Sequence, residues 1–232
     1  MIRRAAALAL IAALGALLLP LLLGYHPDEA LNLTACYYAE RTAADLGAAN
    51  IVTAIVVTYR GLDTLGEVTV LFLSAAVVGL VLARGRTATT GGRPRLPAGE
   101  LLTTGSRLLA PLIMLLGIYI FVNGHLTPGG GFQGGAVIAS GVLLLLLAEP
   151  GRRLGHRVIA LVESLSGLAY VAIGVAGLVY AGGFLDNRIL PIGTLGELAS
   201  AGAIPVIYSL IGLKVGAEFS SMLANLSETE EL

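Results

Sequence analysis

The sequence predicts an all-α integral membrane protein with about six transmembrane helices and one short re-entrant or interfacial helix. Hydrophobic residues make up 56% of the chain and charged residues only 12%, and the mean hydropathy is +0.87. Soluble domains carry about twice that charged fraction. Several apolar segments also approach the ~20 residues that a helix needs to cross a bilayer.

Six segments qualify as candidate spans: residues 5–23, 64–82, 108–123, 132–147, 158–181 and 198–219. The first follows two arginines and could be interpreted as a secretory signal. Its apolar core is longer than a signal core and has no small-residue cleavage site, so we expect a retained helix. Residues 50–59 are too few for a full crossing and predict a short helix that enters part-way or lies at the interface.

The chain is predicted to lie in the inner cell membrane, and the distribution of its arginines predicts that both termini are cytoplasmic. With that orientation, only Arg41, Arg60 and Arg188 lie outside. The inside set is Arg3, Arg4, Arg84, Arg86, Arg93, Arg95, Arg107, Arg152, Arg153 and Arg157. This asymmetry follows the positive-inside rule and supports an even number of spans.

A stretch rich in glycine, proline and arginine divides the chain. Residues 85–100 are predicted to be a cytoplasmic linker because such residues favour turns and loops. The linker separates a two-span unit, residues 1–84, from a four-span unit, residues 101–221. Residues 222–232 are expected to form an acidic cytoplasmic tail.

Residues 124–135 are a polar, glycine-dense break between two apolar segments. Proline lacks a donor and glycine costs about 1 kcal/mol in a helix interior, so a straight helix cannot continue here. Non-helical backbone at membrane depth must be buried in protein or line a wet cavity, which predicts a partner surface or an ion path. The loop and packing glycines are Gly129, Gly130, Gly131, Gly134 and Gly135. Small residues at four-residue spacing, Gly131, Gly135 and Ala139, also suit close contact with a neighbouring subunit.

His125, inside this break, could titrate near neutral pH and serve a proton step. A lone histidine in a loop is more often a hydrogen-bonded structural residue, and both interpretations stay open. The chain has three scattered histidines and one cysteine, Cys36, so neither a metal site nor an internal disulfide is expected.

Asp63 and Glu67 stand four residues apart at the start of the second span, so their carboxylates share one helix face. Helix capping, with Asp63 as N-cap, is the simpler interpretation. It leaves Glu67 facing a nearly all-apolar helix, where a carboxylate is costly and indicates function.

Three more ionisable residues lie in later spans. Lys214 and Glu218 are four apart, and a desolvated lysine can exchange protons. Alternatively, the two reach the cytoplasmic interface as a neutralised pair. Glu163 could join a relay, or form a near-surface ion pair with Arg157 one turn away.

Two sets of motifs resemble a known family. Residues 124–135, the later Leu190-Pro191-x-Gly193-Thr194 and the segment 212–218 (GLKVGAE) resemble the B-type (MnhB/MrpB) subunit of Mrp-type multisubunit sodium/proton antiporters, over residues 101–221. Residues 50–57 and 60–67 resemble the last two-span segment of the large A-type antiporter subunit. That segment occurs as a separate small subunit, of the E type, in Mrp-related membrane-bound hydrogenases.

The resemblance implies a fusion of two small subunits without the long antiporter core of the A-type subunit. It favours a sodium- or proton-translocating module in a redox-coupled complex, such as a membrane-bound hydrogenase, over a free-standing antiporter. The implied ion-path residues are Asp63, Glu67, Pro128 and Phe132, with Lys214 and Glu218 as further candidates.

The resemblance also implies other Mrp-type membrane subunits and hydrogenase-like peripheral subunits as partners, within the lipid bilayer. No nucleic-acid partner, resident cofactor or catalytic activity of the chain's own is expected; sodium or protons are cargo. Two roles remain open at this point. The chain could line an ion path, or it could be a purely structural assembly subunit.

Overall fold

A computed structural model describes residues 2–25, 30–85, 98–149 and 151–229, which form helices, turns and loops without strands. The all-α prediction is confirmed for these residues. The helices are α1 (Ile2–Leu23), α2 (Leu33–Leu46), α3 (Ile51–Ala54), a π-helical turn (Ile55–Tyr59), α4 (Gly61–Gly85), α5 (Glu100–Val122), α6 (Gly131–Ala148), α7 (His156–Tyr180), a 3₁₀ turn (Asn187–Ile189) and α8 (Ile204–Thr229).

Six helices in the described part of the chain are long and apolar enough to cross a membrane: α1 and α4 to α8. This confirms the predicted number of spans. The predicted short helix at residues 50–59 is also present, as α3 and the π-helical turn. It forms, with α2, a pair bent by 84°, which is either a broken span or a re-entrant loop. Helix α2 was not predicted, because Glu40, Arg41 and Asp45 interrupt its apolar character.

The chain forms two compact units, residues 1–37 and residues 38–232. In the first unit, α1 is apolar on all sides and none of its apolar window is buried. A helix that is apolar all round, with no polar face, is typical of a membrane span.

In the second unit, α8 is the central helix, and α4, α5, α6 and α7 all pack against it. Ile204, Ile207, Ile211 and Val215 are buried along one side of α8. Their spacing of three and four residues places them on one face of the helix. The hydrophobic core of the unit is built around this face.

Several predicted boundaries were wrong. Helix α5 begins at Glu100 rather than at residue 108. The prediction followed hydropathy, and the first two turns of this helix are too polar to be recognised in that way. Helix α8 begins at Ile204 rather than at residue 198, because Ala201 and Gly202 have φ angles of 64° and 58°, which a right-handed helix excludes. The same helix continues to Thr229, into the predicted tail. Most of the predicted linker, residues 86–97, and residues 230–232 lie outside the described residues.

The glycines of α6 allow its backbone to approach α8 closely. A Cβ atom at Gly135 would lie 2.8 Å from the carbonyl oxygen of Gly212 and 2.8 Å from the amide nitrogen of Gly216. At Gly131 it would lie 2.6 Å from the Ile211 side chain. The small-residue stripe predicted to contact a neighbouring subunit therefore packs inside this chain instead.

We expect Gly135→Ala to lower the free energy of unfolding by about 1–3 kcal/mol, because an added methyl group overpacks the contact between α6 and α8. Thermal denaturation of the detergent-purified complex would measure this as a lower melting temperature. Gly66→Ala is the matched control, since a Cβ atom there has no neighbour within 4 Å. Equal melting temperatures for the two variants would contradict the close contact.

Candidate functional site

Asn50 and Thr53 clamp the glycine loop, residues 123–130, which connects α5 to α6. Asn50 caps the start of α3 and donates from Nδ2 to the carbonyl oxygens of Gly124 and Thr127, each at 2.9 Å. Thr53 donates from Oγ1 to the same Gly124 carbonyl at 2.6 Å. Two carbonyl oxygens that the loop removes from helical bonding, those of Gly124 and Thr127, are thus satisfied by side chains of the protein.

The clamp continues through backbone groups and through one aromatic ring. The amides of Ala49 and Asn50 both donate to the carbonyl oxygen of His125, at 3.1 and 3.0 Å. The Tyr208 ring of α8 covers Gly124, where a Cβ atom would lie 2.7 Å from the ring. Gly129 has a φ angle of 146°, a conformation that favours glycine. The ring of Tyr208 and the φ angle of Gly129 therefore each disfavour a larger side chain at a glycine of the loop.

His125 is fully buried. Its Nε2 atom lies 3.4 Å from the carbonyl oxygen of Glu197, and Nδ1 has no hydrogen-bond partner among the described residues. Burial lowers the pKa of His125, so the ring is neutral at pH 7. A neutral, enclosed ring favours the structural interpretation of this residue.

Pro128 and Phe132 have different environments. Pro128 is exposed in the loop, whereas Phe132 is partly buried in the first turn of α6 and packs against the hydrophobic core. Neither residue contributes a polar group to the loop's interactions.

A second polar region lies in the middle of α8. Lys214 Nζ is 2.7 Å from Glu218 Oε1, and their side chains are 10% and 0% exposed. Lys214 stands ten residues after the start of α8, about 15 Å along its axis. The pair is thus enclosed by protein, and its position relative to the membrane interface stays a prediction. Within the described part of the chain, Glu218 Oε2 has no hydrogen-bond partner.

A cavity of about 310 Å³ lies beside this pair, between α4, α7 and α8. Lys214 and Glu163 are its charged lining residues, and Thr69 and Ser164 add hydroxyl groups. The Phe72 ring centroid lies 4.9 Å from Lys214 Nζ, which is within the range of a cation–π interaction. The structure thus brings together three predicted residues from two helices.

The predicted ion pair between Glu163 and Arg157 is not present among the described residues. Arg157 is exposed near the start of α7, whereas Glu163 is half-buried and lines the cavity. Glu163 and Lys214 thus line the same cavity, although they come from different helices.

Helix α4 begins at Gly61, so Asp63 is not its N-cap, but Asp63 does lie in the first turn, where the helix macrodipole favours an acidic residue. It forms an ion pair with Arg60 at 2.5 Å, and the two side chains are more than half exposed. Exposed pairs of this kind stabilise a fold by less than about 1 kcal/mol. Glu67 is exposed one turn later and is not a lining residue of the cavity that contains Lys214.

Sequence reasoning missed Thr53, Phe72, Tyr208 and Asn187 as residues that support these sites. Asn187 is buried and donates to the carbonyl oxygens of Leu46 and Ala201, each at 2.9 Å, so it joins the end of α2 to the loop before α8. Asn50 has a signal in the sequence, because asparagine before an apolar run is typical of an N-cap. Thr53, Phe72, Tyr208 and Asn187 have no such signal, since their roles come from contacts between distant segments.

The fold and the buried ionisable side chains define a multi-pass membrane protein with a cavity between its helices that is lined by an acid and a lysine. More particularly, the chain belongs to the family described as "Domain related to MnhB subunit of Na+/H+ antiporter", which matches residues 101–221. The family of the E-type subunit of MBH matches residues 2–94. These two matches confirm the resemblance found in the sequence motifs.

Curated relatives include an uncharacterized protein of Methanocaldococcus jannaschii, 32% identical over 77% of this chain and 77% of its own length. The probable K(+)/H(+) antiporter A/B-type subunit of Rhizobium meliloti is 28% identical over 82% of this chain, which spans only 22% of that protein. The Na(+)/H(+) antiporter B-type subunit of Bacillus subtilis is 36% identical over 44% of this chain and 76% of its own length.

Two solved structures are also similar. A chain of the membrane-bound sulfane sulfur reductase, an archaeal respiratory membrane complex, is 40% identical with a TM-score of 0.83; the match covers 97% of this chain and 98% of that one. A chain of the Mrp complex from Dietzia sp. is 26% identical with a TM-score of 0.74, and the match covers 95% of this chain but 26% of that one.

We expect Asn50→Ala to destabilise the glycine loop, since it removes two hydrogen bonds to loop carbonyls together with the cap of α3. The loss should be about 2–3 kcal/mol, because buried carbonyls are left without donors. Hydrogen exchange of residues 123–130 in the purified complex would rise. Asn32→Ala is the control, since that side chain makes only a local, exposed bond to Ala35; the clamp would be contradicted if both variants left exchange unchanged.

The buried His125 also predicts a pH dependence. Its pKa is lowered in the folded state, so its contribution to stability is present above the unfolded value of about 6.5 and is lost as the pH falls from that value through the lower pKa of the folded state. Melting temperatures of the complex between about pH 8 and 5 should fall on the acid side, and less so in His125→Gln. Parallel curves for the two proteins would argue against a buried neutral ring.

Proposed function

We propose that this chain is a membrane subunit of an Mrp-type cation/proton antiporter module within a redox-coupled membrane complex. The chain matches a subunit of the sulfane sulfur reductase complex over nearly the full length of both chains. In contrast, it spans about a quarter or less of the matched antiporter chains from Dietzia and Rhizobium. That difference in coverage favours the redox-coupled complex over a free-standing antiporter.

In this proposal the chain has no catalytic activity of its own. Redox chemistry belongs to peripheral partner subunits, and other Mrp-type membrane subunits adjoin the chain in the cell membrane, with both of its termini in the cytoplasm. Sodium ions and protons are transported species rather than resident cofactors.

The observation that supports a role in transport is the buried Lys214–Glu218 pair beside a cavity that Glu163 also lines. Two carboxylates, Glu218 and Glu163, compete for one ammonium group. A proton on Glu218 would remove its charge and free Lys214 to turn toward Glu163 at the cavity wall. Conversely, a sodium ion in the cavity, held by the carboxylate of Glu163 and hydroxyl oxygens of the kind hard cations prefer, would keep Lys214 on Glu218.

We assign Asp63 and Glu67, exposed at the start of α4, to the entrance of this path. Their position on one helix face suits a surface shared with a neighbouring subunit. The glycine loop with His125, Pro128 and Phe132 has a supporting role in this proposal, because its polar groups are held by Asn50 and Thr53 rather than directed into the cavity.

The test is sodium-dependent proton exchange in inverted vesicles that contain the whole complex. Glu163→Gln should lower exchange by about tenfold, which corresponds to about 1.4 kcal/mol in the barrier. This variant is expected to fold, since Glu163 has no ion pair among the described residues. Glu100→Gln, an exposed acid at the start of α5, is the matched control.

Lys214→Ala is a second variant, and a native gel shows whether the complex still assembles. The single change leaves Glu218 buried and unpaired, so it could prevent folding. The double variant Lys214→Ala with Glu218→Gln removes that unpaired charge and therefore separates misfolding from lost transport. If Glu163→Gln and the double variant both assemble and exchange at the wild-type rate, the chain is a structural adaptor.

A further inference from the structure

The ammonium group of Lys214 has an aromatic ring of α4 among its neighbours. Lys214 Nζ lies 2.7 Å from Glu218 Oε1 and 4.9 Å from the centroid of the Phe72 ring, which it faces. Phe72 and Lys214 also line the same cavity. An aromatic face attracts a cation within about 6 Å of the ring centroid. The ring and the carboxylate of Glu218 therefore both stabilise the ammonium group in the position that the structure shows.

Helix α7 also borders this ammonium group, and it does so with a glycine. A Cβ atom at Gly167 would lie 3.6 Å from Lys214 Nζ, so the end of the lysine side chain passes over bare backbone of α7. Glu163 lies one turn earlier in the same helix, and residues four apart on a helix are neighbours on its surface. Because the lysine stem is long and flexible, Glu163 is within its reach without a movement of any helix.

Phe72 contributes little to the packing of the core. It is 48% exposed, whereas the residue before it, Leu71, packs against the hydrophobic core. Replacement of the ring by a smaller apolar side chain would therefore leave no enclosed cavity behind. The contact with Lys214 is what distinguishes an aromatic from an aliphatic side chain at this position.

We propose that Phe72 is a positioning residue, which holds the ammonium group of Lys214 beside Glu218 and so leaves Glu163 available to a sodium ion. This inference rests on the proposed function, in which Lys214 alternates between the two carboxylates. When the ring is removed, the balance shifts toward Glu163, where the lysine competes with sodium. Phe72 therefore acts on the apparent affinity for sodium rather than on the maximal rate of exchange.

The test measures sodium-dependent proton exchange in inverted vesicles that contain the whole complex, over a range of sodium concentrations. Phe72→Leu should raise KM for sodium by about threefold to fivefold, the size of effect that a cation–π contact provides, and leave kcat unchanged. Phe72→Trp presents a stronger aromatic face to the cation and should keep KM at or below the wild-type value.

Ring fluorination of Phe72 separates the electrostatic effect from the shape of the side chain. Fluorine atoms withdraw electron density from the face of the ring with little change in its volume, so KM should rise stepwise with their number. The same fluorination at Phe184, whose ring packs against Gly174 of α7, is the control and should leave KM unchanged.

A KM that does not depend on fluorination of Phe72 would overturn the proposal. A lower kcat with unchanged KM in Phe72→Leu would also contradict it, because damage to the fold gives that result. Glu163→Gln, measured in the same vesicles, separates the two possible failures. If Glu163→Gln lowers exchange while the Phe72 variants match wild type, only the positioning role has failed; if all of them match wild type, the proposed ion path has failed as well.

Discussion

A chain that leaves helical geometry inside a membrane must satisfy its own backbone hydrogen bonds, and this constraint organises the whole fold. Two breaks are satisfied by side chains from elsewhere in the sequence. Asn50 reaches the loop between α5 and α6, and Asn187 joins the end of α2 to the loop before α8. Because each break depends on a distant segment, the polar turns hold the second compact unit together at one end of its spans.

The close approach of α6 to α8 depends on these fixed loops. With the loops fixed at one end, the glycines of α6 let its backbone reach Gly212 and Gly216 of α8. Helix α8 is then enclosed by four neighbours, which removes Lys214 and Glu218 from lipid. A buried charge is tolerated only with a partner, so the pair and the adjoining cavity depend on the packing that surrounds them.

The two family matches cover separate segments, yet these segments fold together. Helix α4 lies within residues 2–94, and α8 begins and largely runs within residues 101–221. The two helices pack against each other in one compact unit, and the cavity of Lys214 uses residues from both. Fusion in one chain keeps the two halves of this cavity at equal stoichiometry.

The sequence by itself determined the membrane class, the six spans and the presence of a backbone break before α6, because these depend on local hydropathy and on glycine and proline chemistry; the predicted break, residues 124–135, extends too far, since α6 begins at Gly131. It also identified Lys214, Glu218 and Glu163, since an ionisable residue in an apolar run is visible without a structure. Only the tertiary structure decided that Glu163 lines the cavity of Lys214 rather than pairing with Arg157, that the glycine stripe of α6 packs internally, and that Asn50 and Tyr208 hold the loop. These relations join residues that are far apart in the chain, and helix periodicity specifies a face without specifying what packs against it.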